Sequence, residues 1–211
     1  MRLLLHACCG PCLIEPLAGL RREHDITVYF ANPNIQPLDE FGRRRSTLRE
    51  YAVLSGVPVI DSAYEPERWL SAVGSLADRP ERCRACYEVR FGMTARAAAE
   101  HGFEAFATTL TVSPYQDAQA IREVAEAVAT DVGVRYVHGD FRDRYRDAQD
   151  RARELGMYRQ NYCGCLLSKA ESDAERAARK AERAARKAER AARKAEREAA
   201  GVWREGGKVD S

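Results

Sequence analysis

The chain has 211 residues, a formal net charge of +2 and seven cysteines. That length suits one domain, or one domain with an appendage, and no apolar run is long enough to span a bilayer. The near-zero charge gives no global field for nucleic acid, so any such contact must rest on local patches.

Strand and helix signals alternate along the chain. Arg2–Ala7 is a short apolar run and reads as a first strand. The opening MRLLLHACCGPC has the outline of a signal peptide, but its apolar run is very short and cysteine pairs recur downstream. A strand ending in a ligand loop is the better account, and the protein is expected to be cytoplasmic. Cys12–Glu23 carries Leu13, Leu17 and Leu20 at helical spacing, and Ile26–Ala31 is a β-branched, aromatic second strand. The loop NPNIQP follows, then a helix over Leu38–Ser55 closed by Gly56. Val57–Asp61 reads as a third strand, with Pro58 favouring an edge or an early position. Glu65–Val73 and Cys83–Glu100 read as helices, Phe103–Thr108 as a fourth strand and Thr109–Tyr115 as a loop. A helix over Gln116–Thr130, a fifth strand over Val134–Val137 and helical stretches at Tyr145–Leu155 and Leu166–Ala170 complete the series. This rhythm predicts an α/β fold, a mostly parallel sheet with helices on both faces. Ligands of such sheets bind at the carboxyl ends of the strands, where HACCGPC, NPNIQP and TTLTVSPY all fall.

The end of the chain differs in kind. Residues 174–197 repeat the heptad AERAARK three times and begin a fourth, and the Glu of each complete heptad lies four residues before an Arg. Alanine-rich sequence with such pairs predicts a long solvated C-terminal helix, too poor in large apolar residues for a strong coiled-coil seam. The expected division is an α/β domain over 1–170, a heptad-repeat helix over 171–200 and a frayed tail over 201–211. From Glu171 onward, 12 Lys and Arg face 9 Asp and Glu, which leaves 22 against 23 in the main domain. An auxiliary RNA-backbone contact is the alternative use of that helix.

The seven cysteines fall in three groups: Cys8, Cys9 and Cys12; Cys83 and Cys86; Cys163 and Cys165. Cysteines that meet at one centre arrive in local groups, because closely spaced ligands bind with little loop-closure cost. In a reducing cytosol such grouping favours metal or redox chemistry over structural disulfides. Cys83 and Cys86, at i and i+3, share one helix face and can bind one centre. Their partner pair, Cys8-Cys9, does not have a zinc-knuckle spacing, and four thiolates from two places fit an iron–sulfur cubane better. Cys163-Gly-Cys165 is a candidate redox switch or a chelate for a second metal. Arg43, Arg44, Arg45, Arg49, Arg90, Arg142, Arg144 and Arg146 are candidates for a phosphate-binding rim. Tyr115, Tyr158 and Asp140 are candidate proton donors. A zinc-stabilised RNA-binding module without catalytic activity and a metal-free dithiol oxidoreductase are the alternative readings.

Five segments, taken together and in order, resemble the QueH family of epoxyqueuosine reductases: LLLHACCGPC, YFANPNIQPLDEFGRR, RCRACYEVRF, TTLTVSPYQ and GMYRQNYCGCLLS. The resemblance spans the main domain and leaves the heptad tail outside. It implies a Rossmann-like, nucleotide-hydrolase-type sheet in which GPC replaces a phosphate-binding loop, so ATP is not expected. It implies two-electron deoxygenation of epoxyqueuosine to queuosine at the wobble position of tRNA. Carried onto this chain, it puts a [4Fe–4S] cluster on Cys8, Cys9, Cys83 and Cys86 and a redox-active disulfide on Cys163 and Cys165. A second, mononuclear iron is the other use of the latter pair. The partners implied are the tRNA anticodon stem-loop and an electron donor that the resemblance does not identify, with no membrane.

Overall fold

The computed structural model describes residues 1–76 and 78–205. Five strands form one sheet in the order β3-β2-β1-β4-β5: β1 (Arg2–His6), β2 (Asp25–Phe30), β3 (Val59–Asp61), β4 (Ala105–Thr108) and β5 (Arg135–Tyr136). Every neighbouring pair is parallel. Between the strands run α1 (Gly10–Leu20), α2 (Leu38–Ser55), α3 (Pro66–Val73), α4 (Arg79–Glu100) and α5 (Ala118–Val132), with α6 (Tyr145–Glu154) after the last strand.

The central strand explains the layering. Leu3, Leu4 and Leu5 of β1 are fully buried, as a strand covered on both faces requires. Successive side chains alternate between faces. Leu4 joins an apolar cluster with Phe91 and Ala95 of α4 and Ile121 and Val124 of α5. Leu3 and Leu5 join another with Leu13 and Leu17 of α1 and Phe41 and Leu48 of α2. Helices therefore cover both faces, as the alternation predicts.

The strand order reverses between β1 and β4. The chain leaves β1 for the face bearing α1 and leaves β4 for the face bearing α5, which opens a crevice at the carboxyl edge. Ala7–Cys9 follows β1 at that crevice, and Thr109–Val112 follows β4 as a short 3-10 turn where the sequence predicts a loop. His6 Nδ1 lies 2.9 Å from Thr108 Oγ1, which ties the two strand ends together.

Four helix starts differ from the sequence expectation, and two of them, those of α1 and α4, bear on the cysteines. Helix α1 begins at Gly10 with Pro11 in its first turn, so Cys9 is its N-cap and Cys12 lies inside it. Gly10 is required by close packing: a Cβ there would lie 3.0 Å from the Thr47 carbonyl oxygen of α2. Helix α4 begins at Arg79, with Pro80 in its first turn, so Cys83 and Cys86 are carried on turns already formed.

The chain divides into two compact units, Met1–Leu166 and Leu167–Ser211. A helix α7 (Leu166–Glu205) of 40 residues joins the short predicted helix to the heptads. Its i,i+4 pairs form, at 3.3 Å for Glu175–Arg179, 2.7 Å for Glu182–Arg186 and 2.8 Å for Glu189–Arg193. Of the tail expected over 201–211, the part up to Glu205 continues the helix, and 206–211 lie outside the described residues. No helix among the described residues is long and apolar enough to cross a membrane.

Candidate active site

The first cysteine group is built by the turn between β1 and α1. Cys9 caps α1, its sulfur accepting from the Cys12 backbone N–H at 3.4 Å. That turn brings the Sγ atoms of Cys8, Cys9 and Cys12 within 4.8 Å of one another, with Cys8 and Cys9 buried. Hydrogen bonds from Cys12 and Cys9, then the charges of Arg90 and Arg44, hold the Cys8 thiol well below its usual range. Burial pushes Cys9 up to about 12, and hydrogen bonding to Cys8 and Cys9 holds Cys12 well above the ordinary thiol value.

The second group lies on one stripe of α4. Cys83, Cys86, Tyr87 and Arg90 recur at helical spacing, so one face presents two thiols, a phenol and a guanidinium. Cys83 packs at the edge of the larger apolar cluster that contains Cys8 and Cys9. Cys86 packs with Trp69 and Val73 of α3 and with Cys165, and Cys163 borders the same cluster. Burial raises both α4 thiols, Cys86 to about 11, and the nearby Cys163 raises them further. The third cysteine group therefore meets the second. Cys83 and Cys86 are not within the 4.8 Å group formed by Cys8, Cys9 and Cys12 among the described residues.

The segment after α6 closes this end of the sheet. Gln160 Nε2 lies 2.8 Å from Cys9 Sγ. The Tyr162 hydroxyl donates to the Gln36 carbonyl at 3.1 Å, and the Gln36 N–H donates to the Gly164 carbonyl at 3.0 Å. Gly164 sits between the two cysteines at φ +139°, a conformation side-chain-bearing residues rarely adopt. A Cβ there would meet Asn34 Nδ2 at 2.8 Å and Ile35 Cγ1 at 2.9 Å. The glycine of YCGC is a packing requirement, and it seats the cysteine pair on the NPNIQP loop.

Two of the arginines expected at a phosphate rim are interior residues instead. Arg44 is 1% exposed and Arg90 is 2% exposed. Arg44 Nε binds Glu40 Oε1 at 2.7 Å, and its terminal nitrogens donate to the Cys163 and Tyr162 carbonyls at 3.0 and 3.2 Å. It clamps the YCGC backbone to α2. Arg90 donates to Asn32 Oδ1 at 2.8 Å, and no carboxylate pairs with it among the described residues. Its Nε is buried with no hydrogen-bond partner. The Glu40-x-x-x-Arg44 spacing signals a helical ion pair in the sequence. Nothing in the sequence signals that Arg90 turns inward, and Gln160 and Asn32 have no composition or period that singles them out. Of the remaining candidates, Arg49 pairs with Asp61, Arg142 with Asp140, and Arg144 with Asp143 and Asp147.

The proton-donor candidates separate as well. Two-point hydrogen bonding from Arg142 holds the Asp140 carboxyl below its usual range, which keeps it ionised at neutral pH. Tyr115 is 69% exposed and stacks edge-on against Tyr145. The Tyr158 hydroxyl donates to Glu40 Oε2 at 2.6 Å, and burial followed by Glu40 holds its phenol protonated. His6 is held neutral, its pKa lowered to about 3 by burial and by Arg90.

Three converging thiols beside a buried cation with no carboxylate make a soft, anionic donor set. Such a set fits a thiophilic metal or an iron–sulfur cluster, and Cys8, Cys9 and Cys12 can hold a metal. Binding would displace the thiol protons that burial now retains.

Residues 3–171 match the family described as epoxyqueuosine reductase QueH. A protein of that name from Streptococcus pyogenes serotype M1 is 37% identical over 177 residues, covering 79% of this chain and 69% of the relative. One from Dehalococcoides mccartyi is 37% identical over 172 residues, covering 81% of this chain and 93% of the relative. One from Thermotoga maritima is 34% identical over 188 residues, covering 84% and 96%.

Two expectations follow from the geometry. Gly164→Ala should lose about 1–3 kcal/mol in urea unfolding, because it combines backbone strain with a clash against the NPNIQP loop. A loss below about 0.5 kcal/mol, the level of a neutral surface change, would contradict the packing described. Arg90→Met removes the buried cation whose charge acts on both Cys8 and Cys86. The same change should lower metal content after reconstitution. Full metal content together with wild-type stability of the loaded protein would show that the guanidinium does not balance the thiolates.

Proposed function

The chain belongs to the epoxyqueuosine reductase QueH family, and from that membership we infer that it is an oxidoreductase converting epoxyqueuosine to queuosine at the wobble position of tRNA. The match over residues 3–171 carries this reading. It favours neither the zinc-stabilised RNA-binding module nor the metal-free dithiol enzyme. In the reaction two C–O bonds of the epoxide break and one C=C bond forms. The oxygen leaves as water, so two electrons and two protons are consumed. An external electron donor supplies the pair, and a cytoplasmic setting suits a tRNA substrate.

We propose that Cys8, Cys9, Cys83 and Cys86 hold a [4Fe–4S] cluster. When bound, such a cluster supplies electrons one at a time to the site. The support for these ligands is chemical: soft thiols are presented from the β1–α1 turn and from one stripe of α4. Arg90 supports it further, since its charge acts on both Cys8 and Cys86. The Cys12 sulfur lies within 4.8 Å of those of Cys8 and Cys9 and takes none of the four terminal positions of the cluster. Cys163 and Cys165 are proposed as the redox-active pair, with a second, mononuclear iron as the other occupant of those thiols. Arg44 fixes their backbone so that the pair stays beside Cys86.

Among this chain's own groups, Tyr158 is the proposed proton carrier. Its phenol is protonated at neutral pH and hydrogen-bonded to Glu40. Asp140 is excluded from that role by its ionisation. His6, buried and neutral, orients the strand ends beneath the cysteines without adding charge.

Replacing Cys83 with Ala should bleach the brown colour of anaerobically purified protein, strip its iron and abolish reduction of epoxyqueuosine-containing tRNA. A Cys83→Ala protein that keeps both colour and activity would remove Cys83 from the ligand set.

A further inference from the structure

Consecutive residues of a helix point about 100° apart, so Arg43, Arg44 and Arg45 face three directions. Arg44 turns inward to the YCGC backbone, whereas Arg43 and Arg45 stay on the outer side of α2. Among the described residues neither of these two pairs with a carboxylate, unlike Arg49, Arg142 and Arg144. Both border an open groove of about 540 Å³ between the first turns of α2 and Tyr64. The groove opens at the carboxyl edge of the sheet, as the cysteine site does, because α2 starts just after β2 and Tyr64 just after β3.

The lining has the chemistry of a nucleotide. The Arg45 guanidinium lies over the Phe41 ring at 5.5 Å, and Tyr64 packs against the same ring with centroids 4.6 Å apart. Leu38, 58% exposed, is the apolar wall. Asp39 is the acidic member of the lining and offers an acceptor to a base amine. At Gly42, which lines the groove, a Cβ would meet nothing within 4 Å, so that position is open space. A flat aromatic wall, an apolar wall and two cations without carboxylates complement a base with its phosphates, and not a purely apolar ligand.

We propose that this groove is a subsite for an unstacked nucleotide of single-stranded RNA other than the one being reduced. Tyr64 and Leu38 receive the base, and Arg43 and Arg45 take the flanking phosphates. The proposal rests on the reading that the substrate is tRNA and adds where the anticodon loop is held. The groove is joined mechanically to the redox site. Arg43 lies over the Tyr158 ring at 5.9 Å, Tyr158 binds Glu40, and Glu40 binds Arg44. A loop nucleotide docked here would hold its neighbour near the cysteines.

The decisive variant is Gly42→Leu. It fills the groove without changing charge, and an exchange of Gly for Leu inside a helix favours the fold. Binding of a fluorescein-labelled, unmodified anticodon stem-loop RNA should be read by anisotropy at several salt concentrations, beside an RNA duplex of equal length. Wild type should prefer the stem-loop. Gly42→Leu should abolish that preference, and Tyr64→Ala should weaken stem-loop binding about 5-fold or more. Arg43→Ala/Arg45→Ala should flatten the salt dependence by about 1.4 in logarithmic slope, the loss of two phosphate contacts on a single strand. Unchanged stem-loop binding in both Gly42→Leu and the double arginine variant would overturn the proposal, as would a wild type that binds no stem-loop. If wild type reduces tRNA and these variants match it in KM, the groove assignment falls while the reductase reading stands. If the variants lose stem-loop binding but wild type reduces no tRNA, the reductase reading falls and the groove stands.

Discussion

A guanidinium taken out of water must be neutralised close by, and this molecule buries three beside its cysteines, Arg44, Arg82 and Arg90. Arg44 is neutralised by Glu40 and spends its remaining donors on the backbone that carries Cys163. Arg90 has an amide oxygen from Asn32 and no carboxylate among the described residues, so its natural counter-charge is thiolate. That requirement links elements far apart in sequence. The β1–α1 turn supplies Cys8, the loop after β2 supplies Asn32, and α4 supplies both the cation and Cys86. Burial, and then the charge of Arg90, keeps His6 neutral in the same neighbourhood.

Helix α2 performs three tasks because three consecutive arginines cannot face one way. Arg44 anchors the segment that brings Cys163 and Cys165 to Cys86. Arg43 and Arg45 remain outside, one over Tyr158 and the other over Phe41. The closing segment is held through its backbone, by Arg44 and Gln36, and through the side chains of Tyr158, Gln160 and Tyr162. At Gly164 no Cβ fits between its neighbours.

The layered fold was legible because the apolar runs of β1, β2 and β4 alternate with helical periods, and burial on both faces leaves such runs nearly continuous. The carboxyl-edge position of the first cysteine group followed from its place directly after β1. Helix starts were less legible. Pro80 opens α4 one turn before the cysteines, in a stretch whose charged residues hide the period. The arginines were the larger misreading. A basic run looks like a solvated face, and only the third dimension shows that Arg44 and Arg90 point inward. The meeting of Cys163 and Cys165 with Cys86 was likewise invisible, because it depends on Trp69 and Val73 of α3 closing around them. The heptads gave their helix directly, since alanine and i,i+4 pairs need no tertiary partner.

The central claim is that the cysteine groups assemble a thiolate-bound iron–sulfur centre beside Arg90. Iron and acid-labile sulfide should therefore be measured on protein purified without oxygen, together with zinc. About four irons and four sulfides per chain are predicted, and iron in excess of sulfide would indicate a further mononuclear site at Cys163 and Cys165. Zinc without sulfide, or no metal at all in folded protein, would contradict the account.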